Sequence, residues 1–333
     1  MEEVENEAIR DLVEKQKAAG YHVITDGEFR RSYWHLDFMW GLNGVEHIEL
    51  DHGYFFHGEE TTHGSVAVSG KISGENHPFV EHFKFVKQFE DENTVARQTI
   101  PAPAQLLAEL FREENGKNTV KFYPDEEVLI QDIAKAYRTV IKELYEAGCR
   151  NIQFDDCTWG MFCDKKYWEA RQQDCVTIES EAEKYLRLNN LAIEGRPEDL
   201  VITTHVCRGN YHSTWHHQAD MSQWQNICLQ MRTWTHIIWS LTMSAREDLS
   251  RLDLSQMIKS CSWAYYNKSP VLESEELIKE RIRQAAEYVP LERLYLSPQC
   301  GFASCEIGNK LTEEEQWAKL ALVKKIASAT WKE

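Results

Sequence analysis

Residues 126–156 read EEVLIQDIAKAYRTVIKELYEAGCRNIQFDD, and the change of period inside this stretch points to the architecture. Its first part has apolar residues at helical spacing and stops at Gly148, which predicts a helix over 126–147. A short strand, Asn151–Phe154, then runs into the acidic pair Asp155-Asp156. The same unit recurs downstream. A helix over 177–193 precedes the strand Leu200–Thr204, which leads into His205-Val206-Cys207. A helix over 274–288 precedes the strand Arg293–Leu296, which leads into Ser297-Pro298-Gln299-Cys300-Gly301.

Upstream, Val4, Ala8, Ile9, Leu12 and Val13 form a helical stripe over 4–19 that ends at Gly20. A strand at His22–Thr25 opens into Asp26-Gly27-Glu28. Another strand at about 95–100 stops at the Pro101/Pro103 loop, before a helix over 104–114. Residues 45–90 read as an insertion with a hairpin-like part, SVAVSGKIS, followed by an aromatic-rich amphipathic helix.

Repeated helix–strand alternation indicates a parallel sheet. Each chemically interesting residue follows the C-terminal end of a strand, the face on which a (β/α)8 barrel builds its active site. A doubly wound sheet would place ligands there too. The expected fold is a single α/β domain over 1–333, a (β/α)8 TIM barrel with the insertion after its second strand. Because the chain opens on a helix, the first barrel strand is expected to be missing from it.

Composition narrows the function. With 333 residues and 42% hydrophobic content the chain can bury a large core. It has no apolar run long enough to span a membrane, and its charged N-terminus, MEEVENEAIRDLVEKQKAAG, is no targeting peptide. A net charge of -17 argues against a nucleic-acid partner. Nine cysteines without paired spacing suit a reducing compartment, so a cytoplasmic location is expected.

Residues 216–267 stand apart. They contain no Gly and no Pro, yet hold four of the seven Met and four of the eleven Trp. Both are single-codon residues, and shifting the reading frame there yields glycines, prolines and a strand-like TYYLEF. The segment is therefore expected to be a frameshifted reading, with the frame restored near Lys268; the plainer alternative is a divergent Trp-rich region.

His205-X-Cys207 at one strand end and Cys300 at another supply zinc-type donors, imidazole and thiolate. The plainer reading is a core Cys207 with a hydrogen-bonded His205. Asp26-Gly27-Glu28-Phe29-Arg30-Arg31 offers carboxylates and guanidinium groups for an amino-acid substrate, or is simply a solvated loop. Asp155-Asp156 could accept from a substrate ammonium or cap the next helix. Tyr33, Trp34 and Trp40 suit a core or lid better than a stacking platform.

ITDGEFRRSYWHLDF (24–38), PAPAQLLAEL (101–110), IQFDDC (152–157), THVCRGN (204–210) and SPQCGFAS (297–304) together resemble cobalamin-independent methionine synthase. The likeness is to its catalytic barrel, closest to the short stand-alone bacterial homologues, and covers the chain apart from 216–267. It implies zinc bound by His205, Cys207 and Cys300, with a Glu from the following strand as fourth ligand. It implies that Glu28 and Asp155 bind the homocysteine amino group and that Lys268 is the proton-donating position. The printed strand THIIWSLT lacks the fourth ligand, whereas the shifted frame places a Glu across the codons of Trp239 and Ser240.

The resemblance implies a zinc-dependent methyltransferase acting on homocysteine or another small thiol. The donor is methylfolate or a methylated corrinoid; Arg97–Phe111, where the family stacks its pterin on a Trp, contains none. The alternatives are transfer to another thiol, a metal-free uroporphyrinogen-decarboxylase-like barrel, and a non-enzymatic amino-acid binder.

Overall fold

The computed structural model of the chain describes residues 1–56, 58–162, 177–207, 209–212, 214–215, 236–240, 260–266, 271–287, 290–298 and 301–331. They fall into two compact units. The first comprises Met1–Phe55, Glu60–Thr158 and Glu183–Ile202; the second comprises Phe56–Glu59, Trp159–Ala182 and Thr203–Glu333.

The first unit opens with α1 (Glu2–Ala18), which buries Ile9 and Val13, and β1 (Val23–Ile24). A short α2 (Leu36–Trp40) leads to the antiparallel pair β2 (Asn43–Glu49) and β3 (Gly64–Ser73). SVAVSGKIS is thus one continuous strand rather than a hairpin of its own. The register shifts where Asn43 faces Ser73 and Val45 faces Val68, so the extra residues lie on β3; opposite them Gly44 has φ 78° and an added Cβ would meet the Lys71 carbonyl oxygen at 2.4 Å. Only glycine tolerates that approach and that backbone.

The amphipathic α3 (Phe79–Lys87) precedes β4 (Val95–Ala96) and β5 (Gln98–Pro101). The strand expected at 95–100 is therefore split at Arg97, because its halves serve different neighbours. β4 pairs in parallel with β1, and β5 pairs in parallel with the strand at Asn151–Asp156. After β5, Pro103 starts α4 (Pro103–Leu110), where its missing N–H and fixed φ cost nothing. The helix expected to run to 114 stops short, and α5 (Asn115–Phe122) follows separately.

α6 (Glu126–Glu146) is capped by Asp125, whose side chain accepts from the Glu127 N–H. One face of α6 buries Leu129, Ile133, Tyr137, Val140 and Leu144. It leads to β6 (Asn151–Asp156), and the Val201 N–H donates to the Arg150 carbonyl at 3.0 Å. α7 (Ile178–Ala192) and β7 (Val201–Val206) continue the alternation.

In the second unit β8 (His236–Ser240) pairs in parallel with β7 and with β9 (Ser260–Tyr266). β9 in turn pairs in parallel with β10 (Leu294–Pro298). β8 and β9 are the described parts of 216–267; the rest of that segment lies outside the described residues. α8 (Glu275–Ala286) and α9 (Glu313–Thr330) bury Ile278, Ile282, Val323 and Ile326 together. A Thr312–Glu315 capping box starts α9. Alternating helices and parallel strands thus recur in both units.

A buried polar cluster in the first unit was not anticipated. The fully buried Glu109 accepts from the Tyr54 hydroxyl at 2.5 Å and the Ser65 hydroxyl at 2.6 Å. Asn115 donates to the Ser65 oxygen and to the Glu109 carbonyl, and the Arg112 guanidinium lies over the Tyr54 ring. Burial, reinforced by Glu109, holds the Tyr54 phenol well above its usual range. These contacts tie the insertion to α4.

Beside them His35 is buried, with neither ring nitrogen hydrogen-bonded among the described residues. Its Nε2 stands 4.0 Å from Glu109, too far for a hydrogen bond. Burial pushes His35 down to about 3 and His77 down to about 4. As pH falls below about 6.5 the unfolded chain therefore takes up these protons before the folded one. Stability is intact above that pH and is lost towards pH 4, at up to about 1.4 kcal/mol per pH unit for each histidine. Melting His35→Phe and wild type between pH 7 and 4.5 is expected to give a flatter slope for the variant; identical slopes would refute this.

Candidate active site

The strand end after β1 closes into a tight loop. Gly27 and Glu28 both adopt left-handed backbone, at φ 64° and 61°, and the Glu28 N–H donates to Asp26 Oδ1 at 2.9 Å. Glycine holds this geometry freely, but a glutamate there stores strain of about 1 kcal/mol or more, a cost that clusters at functional positions.

The loop aims Glu28 at β5. Its Oε1 accepts from the Arg31 guanidinium at 2.9 Å and from the Thr99 hydroxyl at 2.7 Å. The side chain keeps 27% of its surface exposed, yet its carboxyl is pushed above the usual range. Burial is the main cause; Arg31 opposes it, and Asp155 adds to it by like-charge repulsion.

The guanidinium groups of this loop turn inward instead of towards a ligand. Arg31, 2% exposed, also donates to the carbonyls of Trp34 and Thr99 and to the Thr99 hydroxyl, and lies over the Phe79 ring. Arg30, 9% exposed, donates to Glu5 and Asn6 and lies over the Phe85 ring. Both arginines hold the loop. Tyr33 is buried, Trp34 packs on His35, and Trp40 stacks on His47 while donating to the Ser65 carbonyl, so these aromatics are packing residues.

On β6 the two aspartates part company. Ile152, Phe154 and Asp156 are fully buried on one face, and Asn151, Gln153 and Asp155 are half-buried on the other. Asp156 accepts from the Thr158 N–H and hydroxyl and from Asn189, which itself accepts from the Ala104 N–H. It is a structural anchor. Asp155 lies beside Pro101 in the parallel register and accepts from the Gln153 amide at 2.8 Å. Glu28 and Asp155, two acids predicted from different strand ends, are therefore electrostatic neighbours.

Thr99 and Gln153, which hold these carboxylates, were missed by sequence reasoning. For Gln153 a signal existed, because polar residues alternate with apolar ones in NIQFD (151–155) and so give that strand one polar face; Thr99 sits in the polar run RQT, which has no such alternation.

His205 and Cys207 occupy alternate positions at the end of β7, 7% and 4% exposed. The Gly209 N–H donates to Cys207 Sγ at 3.3 Å. A buried imidazole and thiol two residues apart fit the donor set of zinc. Cys300 and Lys268 lie outside the described residues. Among the described residues no group of three or more His, Cys, Asp or Glu could hold a metal.

A family model for the catalytic domain of cobalamin-independent synthase matches residues 1–328. The uncharacterised YxjH protein of Bacillus subtilis is 38% identical over the whole chain and 87% of its own length. Methionine synthase of Saccharolobus solfataricus is 25% identical over 90% of the chain and 78% of its own length. Among solved structures, a Listeria monocytogenes protein studied as a candidate vitamin-B12-independent methionine synthase is similar with a TM-score of 0.76. It is 34% identical and covers all of this chain and 88% of its own.

Proposed function

The chain belongs to the cobalamin-independent synthase family, a methyltransferase family, and from that premise we propose that it methylates the thiol of homocysteine to give methionine. The fold of this reading is a closed (β/α)8 barrel and its metal is zinc, held by His205, Cys207 and Cys300. The pairing of Glu28 with Asp155 supports the amino-acid acceptor most directly. Two neighbouring carboxylates repel each other, and a substrate ammonium between them relieves that repulsion while gaining charge-assisted hydrogen bonds.

Bound zinc would supply the acidity that ionises a substrate thiol at neutral pH. The chain's own residues do the rest. Glu28, fixed by Arg31 and Thr99, and Asp155, fixed by Gln153, hold the ammonium and so orient the sulfur for in-line attack on the methyl group. Lys268 is the candidate proton source for the departing donor.

For the donor, Arg97–Phe111 offers no Trp for a pterin to stack on, and Glu109 within it is fully buried. A methylated corrinoid protein therefore stands beside 5-methyltetrahydrofolate as a donor to try. Zinc-loaded protein is expected to bind the metal stoichiometrically and to carry labelled methyl from one of these donors to homocysteine. Absence of labelled methionine with both would overturn the assignment.

A further inference from the structure

Gln153 stands between two charges. Its Oε1 accepts from the Arg97 guanidinium at 3.2 Å, and its Nε2 donates to Asp155 Oδ1 at 2.8 Å. Arg97 is anchored in turn by donating Nε to Asn151 Oδ1 at 2.9 Å. A guanidinium can only donate and an ionised carboxylate can only accept. The amide therefore has one allowed orientation, oxygen to Arg97 and nitrogen to Asp155, and cannot flip without two repulsive contacts.

The parallel register adds a second relation. Thr99 lies beside Gln153 and donates to Glu28. Adjacent residues on adjacent strands thus each hold one of the two carboxylates. Burial lowers the Arg97 guanidinium's proton affinity and the Asp155 charge restores part of it, in keeping with a cation retained for its acidic neighbour.

We propose that Gln153, locked by Arg97, is a positioning residue that presents Asp155 to the substrate ammonium, and that this pair sets the preference for α-amino-acid thiols and thioethers over amine-free analogues. The proposal rests on the reading of Glu28 and Asp155 as the ammonium site.

Binding of methionine and of 4-(methylthio)butanoate, which lacks the amine, separates the roles. Titration calorimetry on the full-length zinc-loaded protein is expected to show that wild type prefers methionine. Gln153→Met keeps the side-chain length but loses the amide. It is expected to lose about tenfold of that preference, the size of one hydrogen bond to a charged group, with 4-(methylthio)butanoate affinity unchanged. Arg97→Leu, which frees the amide to flip, is expected to lose part of the preference and serves as the second variant should Gln153→Met fail to fold. An undiminished preference in a folded variant overturns the positioning role and leaves the ammonium site standing. No preference in wild type overturns both.

Discussion

The Cys207→Ala variant is expected to lose its zinc and, with it, methyl transfer. The fall in kcat/KM should exceed the roughly 100-fold that follows loss of a ligand's hydrogen-bonding neighbour. Cys207 is buried at the end of β7 and accepts from the Gly209 N–H, so the variant removes a preorganised soft donor and leaves a small apolar gap. Metal content by mass spectrometry and circular dichroism read the effect together; a folded variant with full zinc and activity would remove Cys207 from the metal set. The register extends the prediction. Ile238 lies beside His205 and Trp239 beside Val206, and the shifted frame puts its Glu across the codons of Trp239 and Ser240, at the end of this paired run. Ser240→Glu should therefore hold zinc against a chelator longer than the printed sequence does. The coding DNA across 216–267 gives the companion check on the frameshift expectation.

The second large effect contrasts two neighbouring aspartates. Asp155→Asn should raise the KM for homocysteine about 30-fold or more, the cost of removing one partner of a buried charge-assisted contact, with the melting temperature little changed. Asp156→Asn should do the reverse. It weakens the contacts that tie Thr158 and Asn189 to the strand end and should cost about 2–3 kcal/mol of stability. KM and melting measurements on both variants decide the matter; equal effects on KM would mean that the two faces of β6 do not differ in function.

Much of this protein is legible in its sequence. The long amphipathic run of α6 and the strand–acid and strand–His-X-Cys junctions are local signals, and the elements fall close to their expected bounds. Arg30 and Arg31 show where such reading stops. Their presence in a charged loop suggested a carboxylate clamp, but both are taken up by Glu5, Asn6, Glu28 and Thr99. Two of those partners lie on a helix that precedes the loop and one on a strand some seventy residues later. Glu109 is similar: nothing near it in sequence announces that Tyr54 and Ser65 will close over it.

By itself the sequence determined the alternation of helices and strands, the family, and which short motifs are the candidates for chemistry, because period, capping and motif order are properties of contiguous residues. The tertiary structure alone decided which member of the Asp155-Asp156 pair is buried. Asp155 and Asp156 are chemically identical, and one step of strand pleat sends them to opposite faces. Which face holds the half-buried carboxylate and which the anchor for α7 depends on the neighbouring strand and helix, which lie far away along the chain.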